Sequence, residues 1–375
     1  MPVWRRFRAR RYAHGCAALA AVLLLTATGT AAAASWSSAS RLHTSREFHP
    51  ATALPDGRVL VSGGFSFAGI QASAELFDPV SRRWQNTFPM SSARFAHTST
   101  LLPHGRVLVV GGANIDDGYV APAELFEPAT ERWQPAGQLR RARANHTASL
   151  LPDGRVLVAG GLARRHTELR SAEIYDPATN TWSRAASMRF TRYHHTATTL
   201  ADGRVLVTGG DRDEDDFQRT AEIYDPRRNR WRRAPSMRRL RGNHTAVLLP
   251  DGRVLVAGGG ARTPGFTKGT ELYDPRSNRW RAAASMKAAR GFHVAALLPS
   301  GQVLVAGGFA DSGTVRGAEL YNPVTNRWRR TVSLRRARAH ASVALVGGMV
   351  LVAGGGVVSG RIIPTAELYD PAGGR

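Results

Sequence analysis

Short apolar runs alternate with turn residues along almost the whole chain, and one stretch shows the unit clearly. His146-Thr147-Ala148-Ser149-Leu150-Leu151 reads as a strand, called a. Pro152-Asp153-Gly154 follows as a hairpin turn, because Asp-Gly accepts the positive φ angles of a tight reversal. Arg155-Val156-Leu157-Val158-Ala159 is a β-branched, apolar strand b, stopped by Gly160-Gly161. A variable loop leads to Ala172-Glu173-Ile174-Tyr175, strand c. Asp176-Pro177-Ala178-Thr179-Asn180 is a second turn, and Thr181-Trp182 opens strand d. No stretch sustains a helical period, so the chain reads as all-β.

The unit repeats. Glycine pairs begin at Gly63, Gly111, Gly160, Gly209, Gly258, Gly307 and Gly354, at steps of 47 to 49 residues. A tryptophan recurs in step at Trp84, Trp133, Trp182, Trp231, Trp280 and Trp328. A period near 50 signals a propeller or a solenoid. Seven such units fill residues 35–375, which leaves no second domain.

Gly-Gly after an apolar strand, a Tyr- or Phe-bearing strand ending in Asp-Pro, and the spaced Trp together resemble the kelch repeat. The resemblance covers nearly all of 35–375. It implies a seven-bladed β-propeller of four-stranded antiparallel blades, with strand a innermost. The last unit stops at Ala366-Glu367-Leu368-Tyr369-Asp370-Pro371 and has no Trp. Trp36 stands 27 residues before Gly63, as Trp84 does before Gly111. Residues around Trp36 are therefore expected to supply the outermost strand of the last blade, covering an open edge.

Residues 1–34 read as a secretory signal. Five arginines, at positions 5, 6, 8, 10 and 11, precede an apolar run too short to span a bilayer comfortably, and Ala31-Ala32-Ala33-Ala34 follows. A secreted or periplasmic chain with no membrane span after cleavage is expected. The only cysteine, Cys16, would leave with the signal. That excludes a disulfide scaffold and suits an oxidising compartment.

The chain carries 51 Lys+Arg against 28 Asp+Glu, a formal net charge of +23, and its only lysines are Lys268 and Lys287. Such a balance points to an acidic partner: an anionic glycan, an envelope component or an acidic protein. Export argues against nucleic acid.

Three charged or titratable positions recur with the blades. Glu75, Glu124, Glu173, Glu222, Glu271, Glu319 and Glu367 precede the aromatic of strand c. Arg46, Arg94, Arg143, Arg192, Arg241, Arg290 and Arg338 precede strand a. His49, His97, His146, His195, His244, His293 and His340 open strand a, with Arg-x-x-His shortening to Arg-x-His in the last unit. If strand a runs down from one face, the b–c and d–a loops share that face, and Arg and His encircle one mouth of the central channel. Two readings stay open. Arg and Glu pair around the ring while His satisfies backbone groups, or the Arg and His residues form an anion-attracting funnel that binds the ligand. A metal in the His ring is not expected, because a seven-fold ring is too wide for zinc's bond lengths. No cofactor is expected.

The b–c loops differ between units and are the expected place for specificity. One carries Asn114-Ile115-Asp116-Asp117-Gly118-Tyr119, another Arg164-Arg165-His166. A third, residues 211–217, is acidic. Asp211, Asp213, Asp215 and Glu222 there imitate calcium-loop spacing, but Asp216 stands where glycine is needed. Kelch propellers include copper radical oxidases similar to galactose oxidase, whose chemistry needs a Tyr–Cys cross-link. The lone Cys in the signal argues against that activity. They also include sialate mutarotases, for which an Arg-lined mouth with a Glu or His acid/base would serve. The reading favoured by sequence is a binding module for an acidic ligand on the loop face. A sugar-active, mutarotase-like enzyme is the alternative, with no catalytic residue assignable.

Overall fold

The computed structural model describes residues 33–114, 118–212, 216–261 and 265–373. The signal read at 1–34, Cys16 included, lies almost wholly outside them. Seven four-stranded antiparallel sheets form the blades. In blade 3 the strands are Thr147–Leu150 (a), Val156–Ala159 (b), Ala172–Asp176 (c) and Thr181–Ala185 (d), paired in that order. In the last blade Ser342–Val346, Met349–Ala353 and Thr365–Asp370 supply a, b and c. Its strand d is the N-terminal Ser35–Arg41, with Trp36 opposite Tyr369. The chain thus closes its ring by pairing its first strand with its last.

Strand b is buried at every position and apolar but for Ser62 in blade 1 and Thr208 in blade 4, because the sheet is covered on both faces. Its side chains alternate, so each blade feeds two interfaces. Val156 and Val158 pack with blade 2, while Leu157 and Ala159 pack with Val205, Val207 and Tyr224 of blade 4. The buried core is accordingly seven separate clusters, one between each pair of neighbours.

Each repeat tryptophan lies on the aromatic of its own strand c, with ring centroids 5.0–5.2 Å apart. Except in Trp328, its indole N–H donates to a carbonyl of the preceding blade. Trp182 donates to the Ala136 carbonyl at 2.8 Å, and Trp36 donates to Val332 at 2.8 Å. The a–b turn differs from the two-residue hairpin that Asp-Gly suggests. Leu151 N–H bonds Arg155 O at 2.8 Å around three loop residues, and only Gly154 has positive φ (83°). This is a three-residue hairpin with glycine in the left-handed position.

The glycine pair is explained by the neighbouring blade. A Cβ on Gly160 would stand 2.6 Å from Arg192 O and 2.7 Å from His195 Cε1, both in blade 4. The amide of the next residue, Gly161, donates to that same Arg192 carbonyl at 2.8 Å. The bond recurs at all seven junctions, ending with Gly355 of the last blade on Arg46 of the first at 2.9 Å.

Candidate functional site on the loop face

The d–a and b–c loops meet on one face, and the recurrent charges lie beneath it rather than on it. All seven recurrent arginines are buried. Each places Nη2 2.7–3.1 Å from Oε1 of its own blade's glutamate: Arg46–Glu75, Arg94–Glu124, Arg143–Glu173, Arg192–Glu222, Arg241–Glu271, Arg290–Glu319 and Arg338–Glu367. Nη1 of Arg143 also donates to the carbonyls of Gly160 and Ser171, both at 2.9 Å. The Glu173 carboxylate accepts the N–H groups of Arg140 and Arg141 as well, at 2.8 and 3.2 Å. Burial lowers the pKa of each guanidinium against the pull of its glutamate. The set ties the b–c loop, strand c and the d–a loop of one blade together. It leaves no recurrent arginine at the surface to meet a ligand.

Six of the histidines are also buried, and each bonds to a hydroxyl of the adjacent blade. His146 Nε2 lies 3.0 Å from Thr98 Oγ1, and His195 Nε2 lies 3.0 Å from Thr147 Oγ1. His244 and His293 repeat the contact with Thr196 and Thr245, at 2.9 Å each. His49 reaches Ser342 at 2.9 Å, and His97 reaches Ser62 at 3.2 Å. Burial is the main cause that pushes all six imidazoles far below their ordinary pKa, to about 3 for His146 and His293. Burial thus disfavours their charged form. His340 corrects the sequence register. The histidine position of the last blade is Ala341, and His340 is equivalent to Phe292.

That equivalent position forms the mouth itself. Phe48, Ala96, Asn145, His194, Asn243, Phe292 and His340 all take left-handed backbone, with φ of 48–54°. Each amide donates to the carbonyl of the preceding member at 2.9–3.3 Å, and His340 O accepts from Phe48 N–H. Seven backbone hydrogen bonds therefore close a ring around the axis. Left-handed φ costs a non-glycine residue roughly 1–2 kcal/mol, and the ring holds every member there.

With the backbone bonded to itself, only side chains vary around the mouth. Blades 6, 7 and 1 make it aromatic: Phe48 stacks on His340 at 3.9 Å, and Phe292 meets His340 edge-on at 4.5 Å. Blades 3 to 5 present Asn145, His194 and Asn243. Two mouth imidazoles are held by carboxylates, His194 Nδ1 by Asp211 at 2.8 Å and His340 Nδ1 by Glu47 at 3.4 Å. Each carboxylate sits where a glycine makes room, Asp211 against Gly242 and Glu47 against Gly356. Beside Ala96, the smallest member, a cavity of about 250 Å³ opens between Phe48, Asn145 and His194, floored by buried histidines. Sequence reading passed over these residues because they vary inside a constant frame. Their signal was the changing residue immediately before the histidine of Arg-x-x-His, beside a first intervening position that changes as well.

Exposed charge stands farther out on the same face. In blades 3 to 6, the residue two before strand c is Arg170, Arg219, Lys268 or Arg316. Its carbonyl accepts the N–H of Met188, Met237, Met286 or Leu334 at 2.8–3.0 Å. The next residue is Arg189, Arg238, Lys287 or Arg335. Two loops thus bring two exposed cations to the same place in four consecutive blades, and among the described residues none of the eight is in an ion pair. The first two blades have Ala72 and Ala121 at the first of these positions, and the last has Pro364.

A profile of the attractin/LZTR1 β-propeller matches residues 30–262. The chain belongs to the attractin/LZTR1 β-propeller family. Kelch motifs match 241–287 and 290–335, and kelch propellers are in general protein-interaction modules. No curated protein matches this chain. Among solved structures, a fungal alcohol oxidase of the AA5 family, in complex with copper, is similar at TM-score 0.75 and 19% identity, covering 90% of this chain and 76% of that one. The structure of YjhT is similar at TM-score 0.61 and 15% identity, covering 78% of this chain and 99% of that one. Both likenesses concern the fold alone.

Among the described residues the oxidase's copper has no counterpart donor set. Among the described residues no group of three or more His, Cys, Asp or Glu could hold a metal ion. The axial Phe, Ala and Asn positions offer no ligand pair to complement an imidazole. The calcium-loop spacing fares no better: Glu222 is bonded to Arg192, Asp211 bonds His194, and Asp213 and Asp215 lie outside the described residues. No helix among the described residues is long and apolar enough to cross a membrane.

Proposed function

We propose that this propeller is exported and there binds an acidic protein partner on its loop face, through the crescent of cations across blades 3 to 6. The observation that carries the reading is the repetition of two exposed basic residues at one place in four consecutive blades. The only two lysines of the chain, Lys268 and Lys287, fall together in one of them. Charge is thus kept at that place where the side chain that carries it changes. A solvated surface needs no such match, whereas an extended anion attracted to one face does.

The test uses fluorescein-labelled polyglutamate and vesicles of phosphatidylglycerol in parallel titrations. Polyglutamate binding is expected to weaken steeply with salt, since exposed charges are screened beyond about 8 Å at physiological ionic strength. It should also fall when Arg219, Arg238, Lys268 and Lys287 are replaced by glutamate. Binding indifferent to both salt and these substitutions removes the reading. Binding to the vesicles alone transfers it to an envelope component.

A second reading rests on the two carboxylate-held imidazoles at the mouth. Such imidazoles can exchange protons with a ring oxygen and an anomeric hydroxyl, as opening and closing an acidic sugar requires. Acceleration of anomer exchange in N-acetylneuraminic acid, followed by NMR and lost in His194→Gln or His340→Gln, would support it. An unchanged exchange rate leaves the binder.

A further inference from the structure

We infer that the axial cavity beside Ala96 is an anchor pocket that takes one aromatic side chain from the acidic partner segment; this rests on the binding reading above. At about 250 Å³ the cavity lies below the roughly 300–1,000 Å³ typical of small-molecule sites. It has the scale of a single large side chain. Its walls are the ring of Phe48, the amide of Asn145 and the imidazole of His194. Among the described residues the Asn145 side chain has no hydrogen-bond partner, so that amide is available to a peptide group. Apolar surface continues outward on the same face, where Phe65 is 37% and Phe67 72% exposed. Buried aromatic anchors surrounded by polar contacts dominate protein interfaces.

Charge complementarity selects an acidic segment. The inner and outer strands of a blade are three strand spacings apart, about 14 Å. An extended chain covers that in about four or five residues. One segment can therefore seat an aromatic residue at the axis and lay its carboxylates on the crescent. The pocket exists because one member of the mouth ring is alanine. Blades 1 and 6 carry Phe48 and Phe292 in the same left-handed conformation, so phenylalanine is compatible with the position.

The experiment compares two fluorescein-labelled peptides by anisotropy on the full chain. One has glutamates around a central tryptophan, and the other has alanine in the tryptophan's place. The tryptophan peptide should bind about tenfold tighter or more. Ala96→Phe should abolish that preference and leave the alanine peptide's affinity unchanged. If Ala96→Phe does not fold, Ala96→Asn, matching Asn145 and Asn243, serves the same purpose. Equal affinity for the two peptides, or a preference that survives both substitutions, overturns the anchor pocket while leaving the crescent reading intact. Failure of either peptide to bind, with polyglutamate also unbound, defeats the crescent reading itself. Displacement of the tryptophan peptide by a free hexose would reassign the cavity to a sugar.

Discussion

At the residue scale, the six buried histidines are the most consequential feature. Each is neutral in the folded chain at a pH where an unfolded imidazole, with a pKa near 6.5, binds a proton. Below that value the unfolded state holds more protons, so stability rises with pH. The contribution is complete above about pH 6.5 and is lost progressively as pH falls toward about 3, the value reached by His146 and His293. The unfolding free energy measured in urea is therefore expected to fall markedly between pH 6.5 and 5, before most carboxylates titrate. His146→Gln should flatten that slope by about one proton, or roughly 1.4 kcal/mol per pH unit where the site titrates fully. A wild-type stability constant over that interval would refute the account. Arg143 and its equivalents show the limit of reading residues alone. Their recurrence announced a shared task, but only packing shows that all seven are enclosed with a glutamate.

At the element scale, neighbouring blades are matched pair by pair. The histidine of one blade needs a hydroxyl on the preceding one. At the junction of blades 6 and 7 both partners are replaced together: Ala341 stands at the histidine position and Val294 at the hydroxyl position, within one apolar cluster. Near Gly307 no imidazole approaches, in contrast to the other six first glycines of the pairs. The junction exchanges a polar contact for an apolar one without leaving a buried polar group alone, which would cost about 1–3 kcal/mol. Restoring the pair tests this. Val294→Thr and Ala341→His should each destabilise when made singly. Together they should recover about 1 kcal/mol in a double-mutant cycle followed by chemical denaturation. Strictly additive losses would show that the two positions are not coupled. The sequence displayed both substitutions, but apparent shortening of the Arg-x-x-His frame concealed them. Register in the mouth ring revealed that His340 had not moved and that Ala341 had taken the place.

At the scale of the whole molecule, closure is the decisive event. Every blade is covered by two neighbours, so an open ring would expose two apolar sheet faces. The N-terminal strand prevents this by completing the last blade. Trp36 packs on Tyr369 and donates to Val332 of blade 6, while Ser40 O accepts the indole N–H of Trp84 in blade 1 at 3.0 Å. One strand thereby engages both sides of the seam. Trp36→Ala is expected to cost about 3–5 kcal/mol, the range for removing a large buried aromatic. It should also promote association through the bared strand edge. Urea unfolding and light scattering check the two effects. A loss below about 1 kcal/mol would mean that the seam does not depend on this residue. The position of Trp36 in the repeat register makes this strand legible in the sequence itself.

What this sequence determined by itself is everything that depends on repetition along the chain: the strand pattern, the number of blades, the glycine stops and the strand that completes the ring. Those features follow from local conformational preference and from one unit having to pack on its own copy. Tertiary structure alone decided which side of each loop is enclosed. It put the recurrent arginines and histidines inside, made the mouth from the second of the two varying positions between them, and left a different set of cations on the surface. Linear order reports which residues recur, whereas solvent access depends on what the next blade covers. The charges left at the surface are those the neighbour does not enclose.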